Sequence, residues 1–153
     1  MSNETGQPKA KLFLVDDHPQ VRENLKALIQ READLEVCGE AGDGPTALSL
    51  ISRQEPDLVI LDISLKRSNG LDVLEALNKR WPKPLVLVLS MHDERLYAER
   101  SLRAGARGYI TKEEATVKIL PAIRRVLSGQ VYLSDPMAAH LAEKLARGGA
   151  SGY

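Results

Sequence analysis

Residues 57–77 read DLVILDISLKRSNGLDVLEAL, and this stretch decides the fold. Leu58 to Leu61 are apolar at every position, without the alternation of a half-exposed strand. Such a run marks a strand buried on both faces, as in the centre of a parallel sheet. It ends on an acid, Asp62. Ser68-Asn69-Gly70 then reads as a turn, after which Leu71 to Arg80 takes the period of a helix. Strand followed by helix is the unit from which the rest of the chain can be read.

Similar apolar runs begin near Lys11 (KLFLV), Leu35 (LEVCG), Leu85 (LVLVLS) and Ala106 (ARGYIT). With Asp57 included, successive starts lie 24, 22, 28 and 21 residues apart. That spacing holds a strand plus one crossover helix, whereas hairpins need far less. Val21, Leu25, Leu28 and Ile29 form a helical stripe after the first run, and Leu120, Ile123 and Leu127 form another after the fifth. Asp43-Gly44-Pro45 opens the second helix. The fourth, about Glu94 to Arg103, is the least apolar and is expected to be the most exposed and most mobile. The fold class is therefore α/β: a doubly wound (βα)5 parallel sheet of flavodoxin-like type with expected strand order 2-1-3-4-5. An extra C-terminal helix starts at Ser134-Asp135-Pro136, with Met137, Ala138, Leu141, Ala142 and Leu145 as its expected apolar face.

With 153 residues, the chain is long enough for one such domain. The reading divides it into a flexible N-terminus (1–10), a (βα)5 domain (11–128), and a linker helix with its tail (129–153). Twenty-one Lys and Arg balance twenty-one Asp and Glu, so the basic excess of a nucleic-acid-binding module is missing. Cys38 is the single cysteine, and the first residues carry no apolar signal region, which points to a reducing, cytoplasmic setting. No apolar run reaches the ~20 residues of a membrane span.

Ligands of open parallel sheets gather at the carboxyl ends of the strands. Here those ends carry Asp16 and Asp17, Asp62, and Ser90, with Lys112 after the fifth strand. Taken singly, each acid reads as an ordinary helix cap, Lys112 as a solvated charge and Ser90 as a turn residue. Together they make a rim of three carboxylates, a hydroxyl and an ammonium. Two carboxylates ~5 Å apart repel by about 3 kcal/mol at an effective dielectric of 20, so the set calls for a cation. Oxygen donors with room for water suit Mg²⁺, with Mn²⁺ the next candidate. One carboxylate can act as a nucleophile towards phosphorus, with Lys112 and Ser90 binding the phosphoryl oxygens.

VDDHPQVRENL, DLVILDISL with NGLDVLEAL, VLVLSMHDE and SLRAGARGYITKEE resemble the receiver domain of bacterial two-component response regulators. The HP after the acid pair and VYLS after the fifth helix are most similar to the NarL/FixJ (LuxR-type) subfamily. The resemblance implies Asp62 as phosphoacceptor, and a metal held by Asp16, Asp17, Asp62 and the backbone carbonyl of Ser64. It implies Ser90, Lys112 and Tyr109 as the phosphoryl-binding and switch residues, with Tyr109 turning inward once Ser90 is drawn to the phosphoryl group. It further implies a cognate sensor histidine kinase, a phosphorylation-dependent homodimer, and no turnover of an external substrate. A helix-turn-helix output domain would follow in a longer protein, so this chain alone is expected to bind no DNA. The alternative is a stand-alone receiver acting through protein contacts.

The sequence departs from the family pattern in places. Lys66 stands where proline is common, so the loop after Asp62 is expected to be looser, and Pro121 lies inside the fifth helix, where it removes a hydrogen bond. Competing readings are weaker. A flavin site would need a Ser/Thr/Gly-rich phosphate loop where Asp16-Asp17-His18-Pro19 stands. An Mg²⁺-dependent aspartyl phosphatase would need a D-x-D pattern at the first strand. A redox metal site would need His18, His92 and an acid, although histidines at loop starts are usually caps or face solvent.

Overall fold

The computed structural model describes residues 8–66, 68–80, 83–91 and 95–148. Five strands, β1 (Ala10–Val15), β2 (Leu35–Ala41), β3 (Leu58–Asp62), β4 (Leu85–Ser90) and β5 (Gly108–Thr111), form one sheet in the order β2-β1-β3-β4-β5. All neighbours are parallel. The helices between them are α1 (Pro19–Gln30), α2 (Gly44–Gln54), α3 (Gly70–Asn78) and α4 (Arg95–Arg103). Two more follow the last strand, α5 (Lys112–Leu127) and α6 (Asp135–Ala146).

The alternating faces of the strands build two cores. Phe13, Val15, Val59, Leu61, Val86 and Val88 point to one side, with Ala47 and Ile51 of α2, Val73 to Leu77 of α3 and Ala98 of α4. Leu12, Leu14, Leu58, Ile60, Leu87 and Leu89 point to the other, with Leu25 and Ile29 of α1 and Ile119, Ala122, Ile123 and Val126 of α5. Every residue of β3 is buried, as its unbroken apolar run requires.

The helix starts read from the sequence are capped by side chains. Asp43 accepts from the Thr46 amide at 2.8 Å, Asn69 from Leu71 at 2.9 Å, and Ser134 from Met137 at 3.3 Å. Pro121 sits on the exposed side of α5, and the helix runs on through it.

Helix α4 is polar and largely exposed, with Leu96 56% and Tyr97 40% accessible, while Ala98, Glu99 and Ser101 are buried. Helix α6 does not bury the apolar face expected of it: only Met137 is buried, and Leu145 is 71% exposed. It docks on α4 through polar groups instead. Lys144 Nζ lies 2.5 Å and His140 Nε2 3.3 Å from the Glu99 carboxylate. A carboxylate that is nearly buried must be paired, and this need sets the rotation of α6. The approach to α6 also closes the sheet edge, because Tyr132 and β5 exchange backbone hydrogen bonds: Tyr109 N to Tyr132 O and Tyr132 N to Arg107 O, both 3.0 Å.

Candidate functional site

The strand ends converge at one rim. Asp16 follows the last residue of β1, Asp62 ends β3, Ser90 ends β4, and Lys112 is the first residue of α5 after the Thr111 cap. Asp62 is fully buried and Asp16 is 1% exposed, since both backbones belong to the interior of the sheet. Lys112 Nζ stands 3.0 Å from Asp62 Oδ2 and 3.0 Å from Asp16 Oδ2. The Ser64 amide donates to Asp62 Oδ1 at 2.8 Å, which orients the carboxylate.

Burial pushes the Asp62 carboxyl above the usual carboxylate range, and the Asp16 charge adds to this. The bonds from Lys112 and Ser64 only partly oppose it. Burial works against the Lys112 ammonium, but its hydrogen bonds to Asp62 and Asp16 prevail and raise its pKa. Lys112 therefore remains the cation of the site.

The donors suit a divalent cation. Oxygens of Asp16, Asp17 and Asp62, with a ring nitrogen of His18, lie within 4.8 Å of one another. Asp16 Oδ2 and Asp17 Oδ1 are buried, and each faces one nitrogen, Lys112 Nζ at 3.0 Å for the first and His18 Nδ1 at 3.1 Å for the second. Buried carboxylate oxygens with so few donors cost free energy, and a hard cation would serve both.

The structure brings Asp16, Asp17, Asp62 and Lys112 together, and Ser90 is buried at the end of β4 beside them in the strand order. Ser64 is exposed, with its amide on Asp62. Tyr109 is inward in this structure, 3% exposed, in the apolar cluster that holds Ala98 and Met137. The α4 and α6 side of the sheet supplies apolar cover for the ring. In the loop after Asp62 the Lys66 amide donates to Asp17 Oδ2 at 2.9 Å. A proline there could not make this bond.

His18 was read from sequence as a cap or a solvent-facing group. It occupies the cap position of α1 but makes no side-chain cap bond, and its ring turns onto the acid pair. Its place between two acids and a helix-opening proline was the available signal. His92 lies outside the described residues, as do residues 1–7, Glu94 and the tail from 149.

Comparison with known proteins agrees with this geometry. The response regulator receiver domain family matches residues 12–124. The transcriptional regulatory protein DegU of Brevibacillus brevis is 31% identical over 96% of this chain and 62% of its own length. The transcriptional regulatory protein MctR of Rhizobium johnstonii is 37% identical over 86% of the chain and 61% of its own length. The nitrate/nitrite response regulator protein NarL of Escherichia coli K12 is 32% identical over 95% and 66%. The chain thus spans about three-fifths of the curated relatives it matches. Among solved structures, a LuxR-family two-component response regulator from Aurantimonas superposes with a TM-score of 0.82. It shares 32% identity, covering 90% of this chain and 99% of that one. Among the described residues, no helix is long and apolar enough to cross a membrane.

Proposed function

The chain belongs to the response regulator receiver domain family, and from that premise we propose that it is the Mg²⁺-dependent phosphoacceptor of a NarL/LuxR-type response regulator. The observation that carries the reading is Asp62: a fully buried carboxylate at the sheet's carboxyl edge with an ammonium 3.0 Å away. An Asp62 oxygen attacks the phosphorus of a sensor kinase phosphohistidine. The P–N bond breaks as the P–O bond forms, and the imidazole leaves. Asp16, Asp17, Asp62 and the Ser64 carbonyl would hold the metal. Bound there, Mg²⁺ neutralises the carboxylates so that an anionic phosphoryl group can approach. Lys112 and Ser90 then bind phosphoryl oxygens, one as a point charge and one as a hydrogen-bond donor.

The switch is read out at α4, β5 and α5. Because Tyr109 is already inside, phosphorylation acts by holding the aromatic in rather than by drawing it there. We take residues 11–128 as the receiver and 129–153 as a linker helix and tail leading to a DNA-binding output domain in a longer, cytoplasmic protein. The receiver itself binds no DNA, forms a homodimer on phosphorylation, and turns over no external substrate.

Intact mass after acetyl phosphate and Mg²⁺ tests the reading. One phosphoryl group per chain is expected, absent in Asp62→Asn and lost on chelation. Undiminished labelling of that variant would remove Asp62 from its role.

A further inference from the structure

His18 stands in the acidic site with hydrogen-bonding demands that no single tautomer meets. Its Nδ1 lies 3.0 Å from Asp16 Oδ1, 3.1 Å from Asp17 Oδ1 and 3.2 Å from Lys112 Nζ. With a proton on Nδ1, the ring donates to the carboxylates but directs an N–H at the ammonium. With the proton on Nε2, Nδ1 accepts from Lys112 but directs a lone pair at two carboxylates. A cation among these groups removes the conflict, because the lone pair and the carboxylate oxygens then share one acceptor of electrons. Two buried carboxylate oxygens, Asp16 Oδ2 beside Lys112 Nζ and Asp17 Oδ1 beside His18 Nδ1, belong to the same cluster.

We propose that His18 Nδ1 is a metal ligand that gives this site a preference for nitrogen-accepting divalent cations such as Zn²⁺ over Mg²⁺. The proposal rests on the reading that Asp16, Asp17 and Asp62 hold a divalent ion, and adds a specificity to it. Carboxylates alone suit Mg²⁺, whereas an imidazole beside them raises affinity for first-row transition ions and does little for Mg²⁺. A nitrogen-seeking ion and Mg²⁺ therefore compete for one place, and the former occupies the phosphorylation site at lower concentration.

Calorimetric titration of the whole chain with Zn²⁺ and, separately, with Mg²⁺ tests this. His18→Ala is expected to weaken Zn²⁺ by about tenfold or more and to leave Mg²⁺ within about twofold, while Asp16→Asn weakens both. His18→Asn keeps a helix-capping residue without an imidazole and should repeat the result if His18→Ala perturbs α1. Pulsed EPR of bound Mn²⁺ should show ¹⁴N coupling in the parent chain and none in either His18 variant. Unchanged Zn²⁺ affinity in the His18 variants, or no nitrogen coupling, overturns the proposal. Failure of Mg²⁺ binding and of Asp62 labelling in the parent chain would instead overturn the receiver reading, so the two failures are distinct.

Discussion

Lys112 Nζ lies 3.0 Å from Asp62 Oδ2 across fifty residues of sequence, and it is the same distance from Asp16 Oδ2. One ammonium therefore serves two buried carboxylates, with Asp17 beside them. Among the described residues, three negative charges against one positive leave the site two charges short of neutral. That deficit is what a divalent cation would fill, and the stability of the protein should report it.

Replacing Lys112 with Met keeps the apolar stem and removes the charge. The two carboxylates are then left buried without their cation, and breaking a buried pair in this way typically costs about 3 kcal/mol. Urea unfolding in chelator is expected to show that loss, and Mg²⁺ should recover part of it. Unchanged stability in chelator would mean that the ammonium does not compensate these acids.

Asp62→Asn should stabilise the metal-free protein. Burial holds the Asp62 carboxyl above its usual range, so the folded state favours the protonated form. Its contribution is most favourable at acid pH and is lost as pH rises through the raised pKa. The variant should gain about 1 kcal/mol at pH 7, the scale of a single substitution, and nothing near pH 3. Denaturant midpoints at the two pH values check this, and an equal gain at both would contradict it.

Glu99 gives the opposite sign. The hydrogen bond from Lys144, assisted by His140 and Arg103, holds its carboxyl below the usual range. The tie between α4 and α6 is therefore intact above that range and fails as pH falls through the depressed value. Glu99→Gln should loosen α6 at pH 7 by about 1 kcal/mol, roughly a fivefold rise in amide exchange. Exchange in α6 that matches the parent chain would show that Met137 alone holds the helix.

Gly70→Ala should disturb the site from outside it. A Cβ at Gly70 would come within 2.6 Å of the Ile63 Cα and carbonyl oxygen, which are backbone atoms of the loop after Asp62. Neither can rotate away, so the loop must shift, at a cost of about 1–3 kcal/mol. Thermal unfolding together with the Mg²⁺ titration checks both effects. A variant with parental stability and metal affinity would show that the loop yields freely.

The fold and the rim were legible because they depend on patterns that survive in one dimension. Unbroken apolar runs such as Leu58–Leu61 can only be central strands, and their ends must then share an edge. Asp16, Asp62 and Ser90 were found in this way, with Lys112 one step beyond. Caps at Asp43, Asn69 and Ser134 were legible for a similar reason, because each acts within three residues of itself.

The sequence by itself determined the strand-helix alternation, the acidic rim and the family pattern, since hydrophobic periodicity and strand ends are local properties of the chain, and the strand order followed from the fold class these imply. Only the tertiary structure decided that α6 turns Lys144 and His140 to Glu99, that Tyr109 is inside, that the Lys66 amide reaches Asp17, and that the His18 ring faces the acids. Each of these is a choice among rotamers or docking angles of similar local energy. It is settled by partners 41 to 49 residues away for α6 and Lys66, by the apolar packing around Tyr109, and by a crowd of charges around His18. Burial makes an unpaired polar group expensive, and which groups become buried is known only once the helices have docked.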